Sequence, residues 1–251
     1  MLGTMDNLKF IQLIKYPTIT VLLLLTFDLH ATDFNAMRED MLEEIQQDSL
    51  ATSAATGRNT LTLEVIQAMG DVPRHQFVAK IFEDHSYANR PLPIGSQQTI
   101  SQPFIVALMT DFLDLKKNHI VLEVGTGSGY QAAILSVLTK QVYSIEIIPE
   151  LGTSAATRLK ELGYQNVTVR IGDGYHGWDA HAPFDAIIVT AAADKIPPAL
   201  IEQLRPGGRM MIPIGGKNQI QNLILVKKNP DLTHTTQNIL AVRFVPLTGV
   251  H

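Results

Sequence analysis

The residues best suited to chemistry lie in the run over residues 120–130, I-V-L-E-V-G-T-G-S-G-Y. An apolar segment carries Glu123 near its end and is followed by glycines at alternate positions, Gly125, Gly127 and Gly129. This order is typical of a parallel strand that leads through a tight turn into a helix. Backbone N–H groups exposed in such a turn can hold the polar end of a ligand. The run therefore predicts a site for a nucleotide-like cofactor.

The spacing of these glycines separates the classes of nucleotide cofactor. A dinucleotide fingerprint, G-x-G-x-x-G, would have its third glycine at position 130, where Tyr130 stands. A Walker loop would need Gly-Lys-Ser or Gly-Lys-Thr, which the sequence lacks. NAD, FAD and ATP are therefore disfavoured.

Two further acidic residues follow the next predicted strands. Residues 142–146 indicate a strand that ends in Glu146, placed to accept hydrogen bonds from two ribose hydroxyls. Residues 167–171 indicate a third strand, followed by Asp173 and Gly174, with the carboxylate placed to accept from an adenine amino group. Because parallel strands bring their carboxyl ends to one edge of a sheet, the three sites converge. Together they predict S-adenosylmethionine, with S-adenosylhomocysteine as its product.

The composition limits the classes of function. The 251 residues, 45% of them hydrophobic, suffice for one catalytic domain with a large core. The net charge of −4 argues against nucleic acid as a partner, since binding many phosphates needs a basic surface. The absence of cysteine excludes disulfides and thiolate chemistry, and the 8 histidines lack the spacing of metal ligands. No metal is expected.

The first predicted region, residues 1–36, is an apolar extension. Lys9 and Lys15 precede an apolar run at residues 19–29 that is similar to a signal peptide and short for a membrane span. Asp28 within this run, a poor cleavage site and a cofactor supplied by cytosolic metabolism argue against export. We expect a cytoplasmic protein. The alternative is export, or membrane contact if residues 1–31 are retained as a tether. If the extension has neither role, it is expected to be dispensable, with a domain that begins near Met37 or Met41.

The second region, residues 37–115, is predicted to form a helical cap and the substrate loop. Residues 38–47 have helical spacing, and the small polar residues 49–56 indicate a linker. A further helix and a short one after it are indicated by the apolar positions Leu61, Val65, Ala68, Met69, Phe77, Ile81 and Phe82.

The end of this region is predicted to lead into another helix. Prolines keep residues 91–95 extended or turned. Ser101 is a plausible N-cap, with Pro103 in the first turn.

The third region, residues 116–251, alternates strands and helices and is the predicted cofactor-binding domain. This alternation predicts an α/β fold with a doubly wound, Rossmann-like and mostly parallel sheet. The last two β-like runs, residues 223–228 and 241–245, have no crossover helix between them. They are therefore expected to form a late antiparallel edge pair.

Several segments combine into a more specific pattern: P-L-P-I-G-S-Q-Q-T-I-S-Q-P, E-V-G-T-G-S-G-Y, G-D-G, P-F-D-A-I-I-V-T-A-A, L-R-P-G-G-R and V-R-F-V-P-L-T. Over roughly residues 60–249 the chain resembles the protein-L-isoaspartate O-methyltransferases. The T-I-S-Q-P and V-P-L-T segments are the most diagnostic, since generic methyltransferases lack them. The resemblance implies methyl transfer from S-adenosylmethionine to the free α-carboxylate of L-isoaspartyl residues. The implied partners are peptides or unfolded segments of damaged proteins, whose repair begins with this step.

The resemblance also implies roles for individual residues, with Ser101 as the active-site hydroxyl. Gln97 departs from the family, whose bacterial members usually have glycine there, so the turn before Thr99 is expected to differ. The implied cofactor-binding residues are Thr99, Ile100, Gln102, Glu123, Gly125, Gly127, Gly129, Glu146, Asp173, Gly174 and Thr248. The implied substrate-binding residues are Ile94, Val245, Pro246 and Leu247.

The chemistry of carboxyl methylation suits a site without a histidine pair. A carboxylate is already ionised at pH 7 and needs no strong base, so Ser101 would orient the substrate; the alternative is a helix cap only. Two other functions stay open. One is a methyltransferase for a different small-molecule or protein carboxylate, or for a base amino group, although Pro197 and Pro198 lack the flanking residues of an amino-directed clamp. The other is a non-catalytic cofactor-binding interaction module.

Overall fold

The computed structural model describes residues 33–216 and 219–249. The apolar run at residues 19–29 and its signal-peptide pattern lie outside the described residues and stay predictions. In the described part of the chain, no helix has both the length and the apolar character that crossing a bilayer requires.

Helices make up the first part of the described chain. They are α1 (Phe34–Ala51), α2 (Ser53–Thr56) and α3 (Leu63–Asp71), and two 3₁₀ turns follow at Arg74–Phe77 and Lys80–His85. The buried face of α3 is the one that the apolar spacing predicts, and it consists of Val65, Ala68 and Met69.

The linker predicted at residues 49–56 is wrong. The end of α1 and the whole of α2 occupy this stretch, and the side chains of Ser49 and Thr56 are buried. The hydroxyls of Thr52 and Thr56 donate to the carbonyls four residues earlier, at 2.8 and 3.2 Å. Because helix carbonyls satisfy these hydroxyls, small polar side chains can pack here without a loop.

A small hairpin contains the residues predicted to be extended or turned. Strand β1 (Leu92–Gly95) pairs antiparallel with β2 (Gln98–Ile100). The two turn residues, Ser96 and Gln97, have φ of 48° and 58°. Two consecutive positive φ angles are characteristic of a type I′ turn, which favours glycine. Gln97 therefore adopts a left-handed conformation that costs about 1–2 kcal/mol.

Replacing Gln97 with glycine is expected to stabilise the protein. Glycine reaches the positive φ without a Cβ clash, and this outweighs its larger entropy loss on folding. The net gain in the free energy of unfolding should be about 0.5–1 kcal/mol, measured by urea denaturation. Gln98→Gly is the control, since glycine within β2 should destabilise by a similar amount. A Gln97→Gly variant no more stable than the original chain would contradict strain at this turn.

Helix α4 begins with a proline and not with a serine cap. It spans Pro103–Phe112, its N-cap is Gln102, and no side chain forms a capping hydrogen bond. The predicted N-cap role of Ser101 is therefore wrong, because Ser101 stands one residue before the cap. Pro103 presets φ at the first helical position and has no N–H to satisfy, so the helix can start without a capping hydroxyl.

A seven-stranded sheet makes up most of the remaining described chain. Its strands are β3 (Ile120–Val124), β4 (Gln141–Glu146), β5 (Val167–Ile171), β6 (Phe184–Val189), β7 (Leu204–Ile214), β8 (Gln221–Lys228) and β9 (His234–Val242). Helices α5 (Tyr130–Leu138), α6 (Pro149–Glu161) and α7 (Pro198–Gln203) connect them. The order is β5-β4-β3-β6-β7-β8-β9, parallel from β5 to β7 and antiparallel beyond. The predicted Rossmann-like sheet with its late antiparallel pair is confirmed.

The last strand begins earlier than the sequence predicts. The apolar run at residues 241–245 predicted its position, whereas β9 starts at His234 and is mostly exposed. As the edge strand, β9 pairs on one side only. Most of its residues are polar, so apolar runs in the sequence do not indicate where it begins. Residues 245–247 lie instead beside Ala192, whose N–H donates to the Val245 carbonyl at 2.8 Å. The Leu247 N–H donates to the Ala192 carbonyl at 2.7 Å.

Both faces of the central strands are covered. In β3, Val121 belongs to the core that includes Met41 of α1 and Leu108 of α4, while Leu122 belongs to the core that includes Leu200 of α7. This alternation is what a strand buried on both faces requires. The helical cap therefore shares a core with the sheet, and the segment leading into α4 is anchored near the strand ends.

Candidate functional site

A cleft lies at the carboxyl ends of β3, β4 and β6. The space between its walls is about 760 Å³ when space open to solvent is included. The chain passes from β3 to β4 on one side and later returns as β6 on the other, so the strand order reverses here. Ligands of doubly wound sheets bind at such a switch point. The lining comes from the loops after these strands and from residues 98–101 and 245–248.

The loop after β3 allows a ligand to approach its main chain closely. Gly125 has a φ of 96°, and a Cβ there would overlap the hydroxyl of Thr190. Thr190 donates that hydroxyl to the Gly125 carbonyl at 2.6 Å, which joins the end of β6 to the loop. A residue with a side chain would both strain this turn and displace Thr190. The residues present thus fit the polar end of a nucleotide-like cofactor.

Glu146 ends β4, and its buried carboxylate borders the cleft. Its Oε2 accepts from the Gly127 N–H at 2.8 Å, and its Oε1 accepts from the Ile148 N–H at 3.0 Å. A carboxylate offers about four acceptor sites, so each oxygen can accept one further hydrogen bond. This capacity matches a pair of ribose hydroxyls, and the ribose role of Glu146 stays a prediction.

Glu123, one of the predicted cofactor-binding residues, lies outside the cleft lining. Its side chain is fully buried, and its Oε2 accepts a short hydrogen bond from the Ser144 hydroxyl. Thr126, in the glycine loop, shares a hydrogen bond of 2.5 Å with the same hydroxyl. Burial raises the pKa of Glu123 to about 8; the bond from Ser144 lowers it in part, and nearby Glu146 raises it. Glu123 is therefore a neutral acid at pH 7 and supports the loop from behind.

The raised pKa of Glu123 predicts a measurable dependence of stability on pH. The folded-state pKa of about 8 exceeds the ordinary value of 4.5. The contribution of Glu123 to the free energy of unfolding is therefore complete below about pH 4.5 and is lost as the pH rises through 8. Glu123→Gln should remove this loss, which amounts to at most about 1.4 kcal/mol per pH unit within that window. Urea denaturation at several pH values within the window measures the loss, and the exposed variant Glu150→Gln is the control. If the free energy of unfolding of Glu123→Gln and of the original chain depended on pH in the same way, a buried neutral acid at position 123 would be contradicted.

The segment before α4 brings Ser101, the residue with the predicted active-site hydroxyl, to the cleft. Thr99, Ile100 and Ser101 all border it. Within the part of the chain that the structure describes, the Ser101 hydroxyl forms no hydrogen bond. The Ser101 carbonyl accepts from Nη2 of Arg74 at 2.7 Å. The hydroxyl is thus available to a ligand, while the main chain behind it is held.

The C-terminal segment completes the cleft. The main-chain bonds of Val245 and Leu247 to Ala192 fix this segment beside the end of β6. Three predicted substrate residues and one predicted cofactor residue therefore meet Ser101 in the same cleft, and they are Val245, Pro246, Leu247 and Thr248.

Four further predicted site residues also lie outside the lining. Gly129 is the N-cap of α5 with a φ of 90°, so it shapes the helix start. Asp173 accepts from the Tyr175 N–H at 2.9 Å and caps a short 3₁₀ turn, while its neighbour Gly174 does border the cleft. The residues outside the lining, besides Glu123, are Ile94, Gln102, Gly129 and Asp173.

Several residues that line the cleft were not predicted from the sequence. The loop residues Thr126 and Ser128 and the end of β6, Thr190 and Ala191, all border the cleft. The end of β6 could have been found, because every parallel strand next to a switch point contributes its carboxyl end. The apolar pair Ile147 and Ile148 follows Glu146 directly, and its side chains can face a flat ring.

A second groove, here called the outer groove, opens beside the cleft and shares Thr99, Ser101, Thr190 and Val245 with it. Gln102, a predicted cofactor residue, borders this groove and not the cleft. Its remaining lining is Asp48, Thr52, Pro91, Phe104, Ile105, Ile220, Leu240, Ala241, Val242, Arg243 and Phe244. The groove therefore leads along the exposed edge of the sheet to Ser101.

Comparison with known proteins places this arrangement in context. A family model described as protein-L-isoaspartate(D-aspartate) O-methyltransferase matches residues 45–251. A protein-L-isoaspartate O-methyltransferase 2 of Polaromonas sp. is 58% identical over 209 residues, which cover 83% of this chain and 99% of that protein. A protein-L-isoaspartate O-methyltransferase 1 of Cupriavidus necator is 56% identical over 214 residues, which cover 85% and 83%.

Solved structures show the same likeness. One named protein-L-isoaspartate O-methyltransferase superposes with a TM-score of 0.74 at 28% identity, covering 84% of this chain and 66% of that one. A beta-aspartate methyltransferase (PCMT) from Plasmodium falciparum, in complex with S-adenosyl-L-homocysteine, superposes with a TM-score of 0.70. At 22% identity over 84% of this chain and 98% of that one, this second likeness concerns the fold alone.

Proposed function

The chain belongs to the protein-L-isoaspartate(D-aspartate) O-methyltransferase family, and from this premise we propose that the cleft at the ends of β3, β4 and β6 is its methyl-transfer site. The enzyme uses S-adenosylmethionine to methylate L-isoaspartyl residues of damaged proteins, which initiates their repair. One observation carries the proposed location of the site: the glycine loop, Glu146 and Ser101 line a single cleft.

The cofactor would be held by main chain on one side and by a carboxylate on the other. The loop at Gly125 and Gly127 would accommodate its methionine end, and Glu146 would accept from its ribose hydroxyls; all three residues line the cleft. Gly174 and the apolar pair after Glu146 also line the cleft and would border the adenine, and Thr248 would close over the cofactor. When bound, S-adenosylmethionine supplies an electrophilic methyl group on its sulfonium.

Ser101 orients the substrate and does not attack it. The α-carboxylate of an isoaspartyl residue has a pKa of about 3.5 and is ionised at pH 7, so no general base is needed. The Ser101 hydroxyl donates to one carboxylate oxygen and thereby aims the other at the methyl group. Among the described residues that line the cleft, only Glu146 and Tyr130 carry ionisable side chains. Such a lining suits a nucleophile that is charged before it arrives.

The outer groove is our proposed path for the peptide. It reaches Ser101 from the surface, and its lining mixes apolar side chains with Asp48 and Arg243. An extended chain can lie along such a groove, so unfolded segments and peptides are the preferred substrates. The cap of residues 37–115 then contributes one wall of the peptide path, and residues 116–251 contribute the other wall and most of the cofactor site.

The reaction is tested with a pair of peptides that differ only in one linkage. One contains an L-isoaspartyl residue and the other the normal L-aspartyl residue at the same position. With cofactor labelled in its methyl group, we expect label in the isoaspartyl peptide only, as a base-labile ester. Equal labelling of both peptides would favour a different carboxyl methyltransferase. Labelling of neither, with cofactor still bound, would favour a cofactor-binding module.

A cytoplasmic location is part of the proposal. It is supported by the dependence on S-adenosylmethionine, which cytosolic metabolism supplies. Intact mass of the protein from its native host, after separation of cytoplasmic, membrane and exported fractions, tests it. Full-length protein in the cytoplasmic fraction is expected; protein shortened near residue 31 and found outside the cytoplasm would overturn this part.

A further inference from the structure

Arg74 is fully buried beneath the active-site segment, and it heads the set of large, fully buried side chains. In the part of the chain that the structure describes, no carboxylate lies within ion-pair distance of it. Burial lowers the pKa of its guanidinium to about 10, so it is still charged at pH 7. A buried cation without an anion is costly, and an apolar side chain of similar size would often be more stable.

The contacts of Arg74 join three separate parts of the chain. Its Nε donates to the Ser86 carbonyl, and its Nη2 donates to the Ser101 carbonyl, both at 2.7 Å. Its Cζ lies 4.8 Å from the centre of the Tyr130 ring. Its Nη1 has no hydrogen-bond partner within the described residues. The guanidinium thus binds one carbonyl with each of two nitrogens while its Cζ lies over an aromatic ring.

These contacts connect the two sides of the cleft. Ser101 carries the proposed orienting hydroxyl, and Tyr130 is the first residue of α5, directly after the glycine loop. Ser101 is not a helix cap, and its hydroxyl has no hydrogen-bond partner among the described residues. In that part of the chain, Ser101 is therefore held by the hydrogen bond that its carbonyl accepts from the Arg74 side chain. A shift of that carbonyl would move the hydroxyl with it, since the two groups belong to one residue.

We propose that Arg74 is a positioning residue, which fixes the Ser101 hydroxyl relative to the cofactor loop through the Ser101 carbonyl and the Tyr130 ring. This inference rests on the proposed role of Ser101 in methyl transfer. Lysine cannot replace the guanidinium, because a single ammonium lacks the planar fork that holds two carbonyls and stacks on a ring. Misplacement of an orienting group by about 1 Å can cost up to about 100-fold in rate, so a partial shift should be visible in turnover.

The test compares Arg74→Lys and Arg74→Met with a matched control, Arg170→Lys. Arg170 resembles Arg74 in its contacts: its Nη2 donates to the Gly177 carbonyl at 2.7 Å, and its Cζ lies 4.4 Å from the Trp178 ring centre, away from the cleft lining. We expect kcat with an isoaspartyl peptide to fall about 10-fold in Arg74→Lys and further in Arg74→Met. The dissociation constant of S-adenosylhomocysteine should stay within about 2-fold, and Arg170→Lys should keep the original kcat.

A second readout does not depend on activity. Amide hydrogen exchange of residues 98–102 should be faster in Arg74→Lys than in the original chain and unchanged in Arg170→Lys. If Arg74→Met does not fold, the lysine variant still decides the question. Unchanged kcat and unchanged exchange in Arg74→Lys would overturn the proposal, as would a loss of cofactor-product affinity equal to the loss in kcat. If the original chain methylates no isoaspartyl peptide, the proposed function fails, while the exchange measurement still tests the tether.

Discussion

Ser101→Ala is expected to lower kcat for an isoaspartyl peptide by up to about 100-fold and to leave cofactor affinity nearly unchanged. The reason is the loss of one hydrogen bond to a charged carboxylate, which contributes about 1.5–3 kcal/mol. Stability should change little, because Gln102 and not Ser101 is the N-cap of α4. Steady-state kinetics with peptide and calorimetry with S-adenosylhomocysteine measure the two effects separately.

Ser101→Thr is the matched control for this prediction. Threonine keeps a hydroxyl at the same position and should retain much more activity than alanine. Full activity of Ser101→Ala would remove the orienting role altogether. A loss of cofactor affinity as large as the loss of kcat would place the hydroxyl at the cofactor and not at the substrate.

Glu146→Ala is expected to weaken cofactor binding by about 100-fold or more. The variant loses the acceptors proposed for two ribose hydroxyls, each bond to a charged group contributing about 1.5–3 kcal/mol. It also removes the acceptor of the Gly127 N–H, so the glycine loop loses a support. Calorimetric titration with S-adenosylhomocysteine measures the effect, and kcat at saturating cofactor should fall much less than affinity.

Two variants serve as controls for the Glu146 result. Glu150→Ala removes an exposed carboxylate four residues further along, outside the cleft lining, and should bind cofactor normally. Glu146→Gln keeps an oxygen acceptor and the side-chain length, and its affinity should lie between those of the alanine variant and the original chain. Unchanged affinity of Glu146→Ala would contradict the ribose role.

The regular alternation of apolar runs and turns made the sheet predictable from the sequence. The ends of individual helices and strands were harder to predict. The strand and helix alternation from β3 onward follows from hydrophobic runs separated by glycine turns. The linker at residues 49–56 was wrong because hydroxyl groups can bond within a helix, which composition does not reveal. Edge strand β9 was misplaced because an edge strand needs little apolar character.

The cleft was predictable to the extent that strand ends converge at a switch point. That rule brought Gly125, Gly127 and Glu146 together correctly, and the family resemblance added Ser101 and residues 245–248. The rule locates the ends of strands but not the face of the sheet to which each side chain points. Because side chains alternate between the two faces along a strand, the rule could not tell that Glu123 points behind the loop. Arg74 gave no signal in the sequence, since only tertiary packing buries it beneath Ser101.

A crystal structure with both S-adenosylhomocysteine and an isoaspartyl peptide bound tests the proposed site most directly. We expect the ribose hydroxyls to lie within hydrogen-bond distance of Glu146. We also expect the peptide α-carboxylate to contact the Ser101 hydroxyl in the same cleft. A cofactor bound away from the ends of β3 and β4, or a carboxylate remote from Ser101, would contradict the proposed site.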